Sequence, residues 1–186
     1  GSPFSPGKEE EGSLFLTIKK ITSGEKYAGF NPAISQVVPL NIFVNIAEFD
    51  QFLGGKKKAN GFLLEFDDKL DILSVEDALA SVSMPAGQSL RVRRVPATNE
   101  LEIVSDRIFI DEPVVNEITE NIDGANPVLT WLANSISSES GSTPYSFIAA
   151  IPGPNLFTLP DPFDIMINEW LAAALKCGVG DSVTVT

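Results

Sequence analysis

Histidine is missing from all 186 residues, which excludes Ser-His-Asp and Cys-His catalysis, imidazole metal ligation and an imidazole switch near neutral pH. The single cysteine, Cys177, rules out an intrachain disulfide and any thiolate cluster for zinc or iron-sulfur. Cations are scarce as well: 13 Lys+Arg stand against 25 Asp+Glu, a formal charge of -12. The deficit is uneven. Residues 1–93 hold 10 cations and 12 carboxylates, whereas residues 94–186 hold 3 and 13, so the later half repels a polyanion and nucleic acid is not an expected partner. No run approaches the roughly eighteen apolar residues of a membrane span, and the N-terminus lacks the basic-then-apolar order of a signal peptide. Apolar residues make up 44% of the chain, enough at this length to bury a substantial core.

Gly1-Ser2 reads as a vector-derived remnant, and residues 1–13, with Pro3, Pro6 and Glu9-Glu10-Glu11, as a disordered tag or linker. Alternation predicts a strand over 14–21, and the β-branched and aromatic residues of 36–45 a second, more buried one. Asn45 precedes Glu48 at capping-box spacing, and Ile46, Phe49, Phe52 and Leu53 fall on one helical face before Gly54-Gly55. Lys56-Lys57-Lys58 then fits a solvated turn. Residues 61–66 read as a buried strand, followed by a helix over 75–83 capped by Ser74 and Asp77 and ended by Pro85 and Gly87. Residues 90–104 specify a hairpin around Pro96-Ala97-Thr98-Asn99. Pairing Val95 with Glu100 sets Arg93 opposite Glu102 and puts Leu90, Val92, Leu101 and Ile103 on the other face; Arg91 and Arg94 complete a small basic cluster there. Residues 107–110 continue or restart a strand, Asp111 and Pro113 open a helix, and Asn126-Pro127 predict another. Residues 135–143 read as a serine-rich loop, 145–151 and 155–159 as strands, 164–177 as a helix ended by Gly178, and 182–186 as a final strand.

Residues 61–93 and 154–186 match without a gap, half a chain length apart, with nine identities in 33 positions. Leu63 meets Leu156, Asp68 meets Asp161, Asp71-Ile72 meets Asp164-Ile165, Glu76 meets Glu169, and Gly87 meets Gly180. Each segment reads as strand, acidic loop, helix, glycine turn, strand, and such a repeat constrains architecture more than a single motif does. The expected fold class is therefore α/β (α+β), built from a duplicated strand-helix-strand unit with an acidic helical addition. The expected division is 14–104 for the first half, 105–140 for an acidic helical insertion or subdomain, and 141–186 for the second half or a second subdomain.

Gly61-Phe62-Leu63-Leu64-Glu65-Phe66, the acidic turn and helix after it, Ala86-Gly87 and the strand from Leu90 to Val95 carry a family resemblance, as does the upstream Val38-Pro39-Leu40-Asn41-Ile42-Phe43. This pattern resembles the double-psi β-barrel N-terminal domains of AAA+ segregase ATPases and of the ubiquitin-fusion-degradation adaptor that works with them. Ala59-Asn60 stands where that family has histidine and cysteine, and Ile72-Leu73 where it has leucine-proline. The resemblance implies that the two halves close a double-psi-like β-barrel, and that the chain is a non-enzymatic, intracellular protein-binding adaptor, monomeric alone, with an AAA+ ATPase or a ubiquitin-like protein as partner. It carries over no protein-binding residue, and the sequence assigns no catalytic, cofactor-binding or metal residue. Two other readings stay open: an acidic structural or assembly protein, and a carboxylate-dependent hydrolase using Asp68, Asp71, Asp161 or Asp164. Asp67 joins those acids as an expected loop or cap residue. Cys177 is expected to be buried and inert, and Trp131 and Trp170 to belong to the core.

Overall fold

The computed structural model describes residues 13–23, 40–46, 49, 59–64, 71–85, 88–95, 100–151 and 163–186. Nine strands carry the architecture: β1 (Leu14–Thr22), β2 (Asn41–Asn45), β3 (Gly61–Leu64), β4 (Leu90–Val95), β5 (Glu100–Ser105), β6 (Ala125–Ser137), β7 (Ser142–Ile151), β8 (Asp164–Asn168) and β9 (Ser182–Val185). Three helices accompany them among the described residues: α1 (Ile72–Ala80), α2 (Glu112–Asn121) and α3 (Glu169–Leu175). Ile46 and Phe49, following β2, are also helical, as the sequence predicts; Glu48, Phe52, Leu53 and Lys56 to Lys58 lie outside the described residues.

Hydrogen bonding runs β4-β5-β3-β6-β7-β2-β8-β1-β9, and β9 returns to pair with β6. Six strands, β6-β7-β2-β8-β1-β9, thus close on themselves as a barrel, while β3, β5 and β4 extend from β6 as an open annex. Ile18, Ile42, Val44, Ile148, Ala150, Ile165 and Ile167 are buried in one cluster with Leu171 and Leu175 of α3. Their alternates Phe43, Ala149 and Met166 face outward by the two-residue period of a strand and join a second buried cluster with Leu63, Val128 and Ile151. The central barrel strands are therefore buried on both faces, which accounts for continuous apolar runs such as Ile148 to Ile151.

The barrel pairings carry a twofold symmetry. Exchanging β1 with β7, β2 with β8 and β6 with β9 converts the parallel pair β1–β8 into the parallel pair β7–β2, and the antiparallel pair β6–β7 into β9–β1. The antiparallel pairs β2–β8 and β6–β9 map onto themselves, with Phe43 opposite Met166 at the centre. Equivalent bonds lie just outside the ladders: Thr17 N donates to Phe163 O at 2.9 Å, and Phe147 N to Leu40 O at 3.1 Å. Both β2 and β8 end in asparagine and pass directly into helical backbone. In β8 the reason is visible: Asn168 Oδ1 accepts from Leu171 N at 3.0 Å and caps α3 without an intervening loop.

This symmetry relates segments other than those matched in the sequence. The structure makes 164–168 a strand where helix is predicted, because Ile165 and Ile167 are drawn between β1 and β2 inside the barrel. In the matched segment, residues 72–80 are helical throughout and belong to the annex. Of the expected first half, 14–104, only β1 and β2 are barrel strands. The first set of barrel strands is β1, β2 and β6, and β3, β4, β5, α1 and α2 contribute the annex between them.

The predicted helix at Asn126-Pro127 is corrected to strand β6, and 105–140 is helical only in α2. Pro127 is accommodated because it lies near the strand's start, where β6 pairs with β3 and has not yet joined the β7 ladder. Much of the loop predicted at 135–143 is ladder, with Ser135 opposite Pro144 and Ser137 opposite Ser142. Both strands kink together there: Ala133 and Ile136 are each buried, as are Thr143 and Ser146, a spacing of three instead of two. Tyr145 takes φ +51° at the kink, a conformation uncommon for a bulky side chain. Asn134 N and Ser135 N both donate to Thr186 O, which seats the last strand in the bend and completes the barrel. The connecting turn is equally tight, since a Cβ on Gly141 would lie 2.9 Å from Ala174 O.

Other expectations meet local corrections. Helix α1 begins three residues before the predicted start, since Asp71 rather than Ser74 is its cap, accepting from both Ser74 N and Ser74 Oγ at 2.8 Å. Helix α3 ends at Lys176, in left-handed conformation, ahead of Gly178. Gly180 has φ +97° in the turn into β9, as expected for that glycine, while Gly87 lies outside the described residues. The same holds for the strand predicted at 155–159, for residues 36–39 and 65–66, and for 1–12 of the expected tag. Residues 107–110 form a bend ending in a bridge between Ile110 and Ala59.

Candidate functional site

The annex owes its stability to its own core. Phe62, Leu64, Leu101 and Ile103 face Val75 and Leu79 of α1 and Val114, Val115 and Ile118 of α2, all buried. Glu112 lies in the first turn of α2, where its charge suits the helix dipole. With both helices on that face, the opposite face is left to form a cleft. Strand register aligns its floor in two rows: Arg91, Val104, Gly61 and Val128, then Arg93, Glu102, Leu63 and Asn126. Val95 opposite Glu100 and Arg93 opposite Glu102 are the pairings read from the sequence.

The cleft encloses about 390 Å³ and is lined by both rows except Asn126, together with Asn60, the buried Phe62, Ser105, Arg107, Ile108 and Thr130. Gly61 sets its depth. A Cβ there would lie 3.1 Å from Ile103 O, and without one the floor between Val104 and Val128 stays open.

Each lining arginine is held by an acid. Arg93 Nε contacts Glu102 Oε2 at 2.7 Å, Arg91 Nη2 contacts Asp106 Oδ1 at 2.7 Å, and Arg107 Nη1 contacts Asp111 Oδ2 at 3.3 Å. The Arg93 pair is more than the exposed cross-strand contact expected, because the Glu102 side chain is only 11% exposed and loses its solvent with it. The Ser89 hydroxyl donates to Asp106 and is the main influence holding that carboxyl below the usual range; Arg91 adds to it, and desolvation opposes it. A lowered carboxylate pKa stabilises the fold above the unfolded value of about 3.9 and ceases to do so as pH falls through the folded value. The Arg91 anchor is therefore fully formed at neutral pH.

Asn60 joins annex to barrel. Its Nδ2 donates to Thr130 O at 2.8 Å, and its Oδ1 accepts from Thr130 N at 2.9 Å and Thr130 Oγ1 at 3.1 Å. The amide imitates a peptide unit and adds a rung to the β3–β6 ladder. Asn60→Ala is expected to lower stability by about 1–3 kcal/mol, since it orphans part-buried backbone groups of Thr130. A urea melt showing a change below about 0.5 kcal/mol would remove that role.

The other sequence candidates scatter. Asp71 caps α1 in the annex, its carboxyl kept below the usual range first by Ser74 N and then by the Ser74 hydroxyl. Asp164 lies in β8, 3% exposed, with Lys19 Nζ at 3.5 Å from Oδ1. The acids proposed for hydrolysis are thus not brought together where they are described; Asp67, Asp68 and Asp161 lie outside the described residues. Among the described residues no group of three or more Cys, Asp or Glu is placed to hold a metal ion, and no helix is long and apolar enough to cross a membrane. Trp131 and Trp170 are 38% and 36% exposed, not core: Trp131 lies in the β6–β7 ladder with its ring stacked on Phe109, and Trp170 lies in the first turn of α3.

Cys177 is part-buried, with its thiol pushed above the ordinary range first by burial and then by the charge of Asp181. A raised pKa leaves less thiolate at neutral pH. Alkylation by iodoacetamide should therefore be slower in the native protein than in urea, with its pH–rate inflection moved upward and partly restored by Asp181→Asn. Equal native and denatured rates at pH 8 would contradict this.

Sequence reasoning missed Arg107 and Thr130 as cleft residues. Arg107 had a local signal in its i,i+4 spacing to Asp111, whereas the Asn60–Thr130 contact spans 70 positions and has none.

Fold and cleft together define a strand-dominated α+β protein: a closed six-stranded barrel bearing an open annex with an arginine-lined groove. No protein-family model, curated protein or solved structure matches the chain.

Proposed function

We propose that the chain is a non-enzymatic protein-binding module with a double-psi-like barrel, acting as an adaptor beside an AAA+ ATPase or a ubiquitin-like protein. The observation that carries this reading is the twofold exchange of β1, β2 and β6 with β7, β8 and β9 in the pairings of one closed barrel. Such interlocked halves are the architecture implied by the family resemblance. The residues that first suggested it, Gly61 to Phe66 and Leu90 to Val95, belong where described to the annex, so support comes from the barrel and not from those motifs. The annex is then an elaboration that offers a docking face.

Biolayer interferometry of the chain against mono-ubiquitin, ubiquitin chains and a segregase hexamer tests the reading. Saturable binding to either class is the expected result. No binding to any of them, together with concentration-dependent self-association in light scattering, would replace it with the assembly-protein reading.

A further inference from the structure

We propose that the arginine groove and the outer edge of β4 form a docking site for an extended acidic segment of a partner protein, added as a strand beside β4. This deepens the protein-binding reading and rests on it only for the class of partner. Among the described residues β4 is the last strand of its sheet, and an edge strand offers alternate backbone N–H and C=O groups to an incoming chain. Arg91 and Arg93 lie two residues apart on this edge and share the groove face. Every second side chain of an added strand would arrive beside them. The Arg91 side chain is 72% exposed and the Arg93 side chain 38% exposed. Arg91 meets Asp106 through one terminal nitrogen and Arg93 meets Glu102 through Nε, while a guanidinium carries five donors. Their own acids orient the two forks without exhausting them.

Donor chemistry selects the occupant. Arg91, Arg93 and Arg107 are matched in charge by Asp106, Glu102 and Asp111, so what the groove offers an incoming chain is the remaining guanidinium N–H donors of Arg91 and Arg93, which suit carboxylate acceptors. A second copy of β4 is disfavoured, since antiparallel pairing through Arg91, Arg93 and Arg94 sets cations against cations. Single-stranded nucleic acid is disfavoured too: the lining lacks an exposed aromatic on which bases could stack, and the rest of the chain repels phosphate.

Fluorescence anisotropy on the full chain tests the proposal with a labelled peptide of about eight residues alternating glutamate and valine, a typical strand length. Three further probes are its lysine-valine counterpart, the acidic peptide N-methylated at alternate amides, and an oligothymidylate. The acidic peptide should bind, the lysine peptide should not, and N-methylation should weaken binding at least tenfold by blocking the ladder. Arg91→Gln should weaken it at least tenfold while the chain stays folded by circular dichroism, Arg91→Glu should weaken it at least as much, and Arg91→Lys should retain most of it. Absence of peptide binding, indifference to Arg91→Gln or to N-methylation, or tighter binding of oligothymidylate would each overturn the site. Ubiquitin and segregase binding measured on the unmodified chain separates the two proposals: acidic-peptide binding by a chain that engages neither partner sinks the adaptor identity and leaves the groove standing.

Discussion

Phe62→Ala is expected to unfold the annex ahead of the barrel, at a cost of about 3–5 kcal/mol. Phe62 is fully buried between Ile103 of β5 and Pro127 of β6 in register, and its ring belongs to the core shared with α1 and α2. That core is separate from the barrel interior and is joined to it through β6, whose Ala125 lies in one cluster and whose Leu129, Ala133 and Ile136 lie in the other. Trp170 on α3 provides the barrel readout, in a Trp131→Phe background because Trp131 of β6 also stacks on Phe109, whereas α1 and α2 contribute helix to the annex. In urea, the far-UV circular dichroism transition of Phe62→Ala should precede the tryptophan fluorescence transition, with the wild-type transitions lying closer together. Coincident transitions, shifted together by the same amount, would show that annex and barrel form one cooperative unit.

The second large effect is expected at Ile18, fully buried in β1, where it pairs with Ile165 of β8. Ile18 N donates to Asp181 O, and its carbonyl accepts from Gly180 N. Ile18→Ala keeps those backbone bonds and leaves a cavity, which should cost about 2–5 kcal/mol. In a chain of this size that is a fall of roughly 2–4 °C in Tm per kcal/mol. Tryptophan fluorescence should report the loss, in contrast to the annex variant. Phe15→Ala, three residues away and 71% exposed, should change stability by no more than about 0.5 kcal/mol. Equal losses at the two positions would mean that β1 is not part of a packed barrel.

Legibility followed the range of the interactions. The β4–β5 hairpin was readable to the residue, because alternation and a short turn fix register locally and Arg93 opposite Glu102 reinforces it. The glycine turn at Gly180 and the helix opened by Asp111 and Pro113 were readable for the same reason. Barrel membership was not. The segment Asp164 to Asn168 has an apolar run compatible with helix or strand, and only its seat between β1 and β2 decides the matter. The sequence repeat sets Asp71-Ile72, the cap and first residue of α1, against Asp164-Ile165 of β8, so its identities join segments of different structure. A shorter echo lies in Asn41-Ile42-Phe43-Val44-Asn45 and Asp164-Ile165-Met166-Ile167-Asn168, the two strands that cross at the symmetry centre. Five residues of apolar pattern closed by asparagine are too little to stand out without the pairing that gives them meaning. Of the candidate site, the arginines on β4 were visible, but the cleft was not, because Gly61 and Thr130 reach it from distant parts of the chain.

Strand β1 has both its neighbours in the last quarter of the sequence, pairing with β8 and β9 across more than 140 positions. During synthesis it therefore waits with its apolar side chains uncommitted until β8 and β9 have been made, while the annex, whose contacts lie mostly within 59–125, can settle earlier. Separations of this size make closure a slow step, set by the search for a distant partner rather than by local preference. Chaperone demand in a cell should accordingly fall on the open barrel.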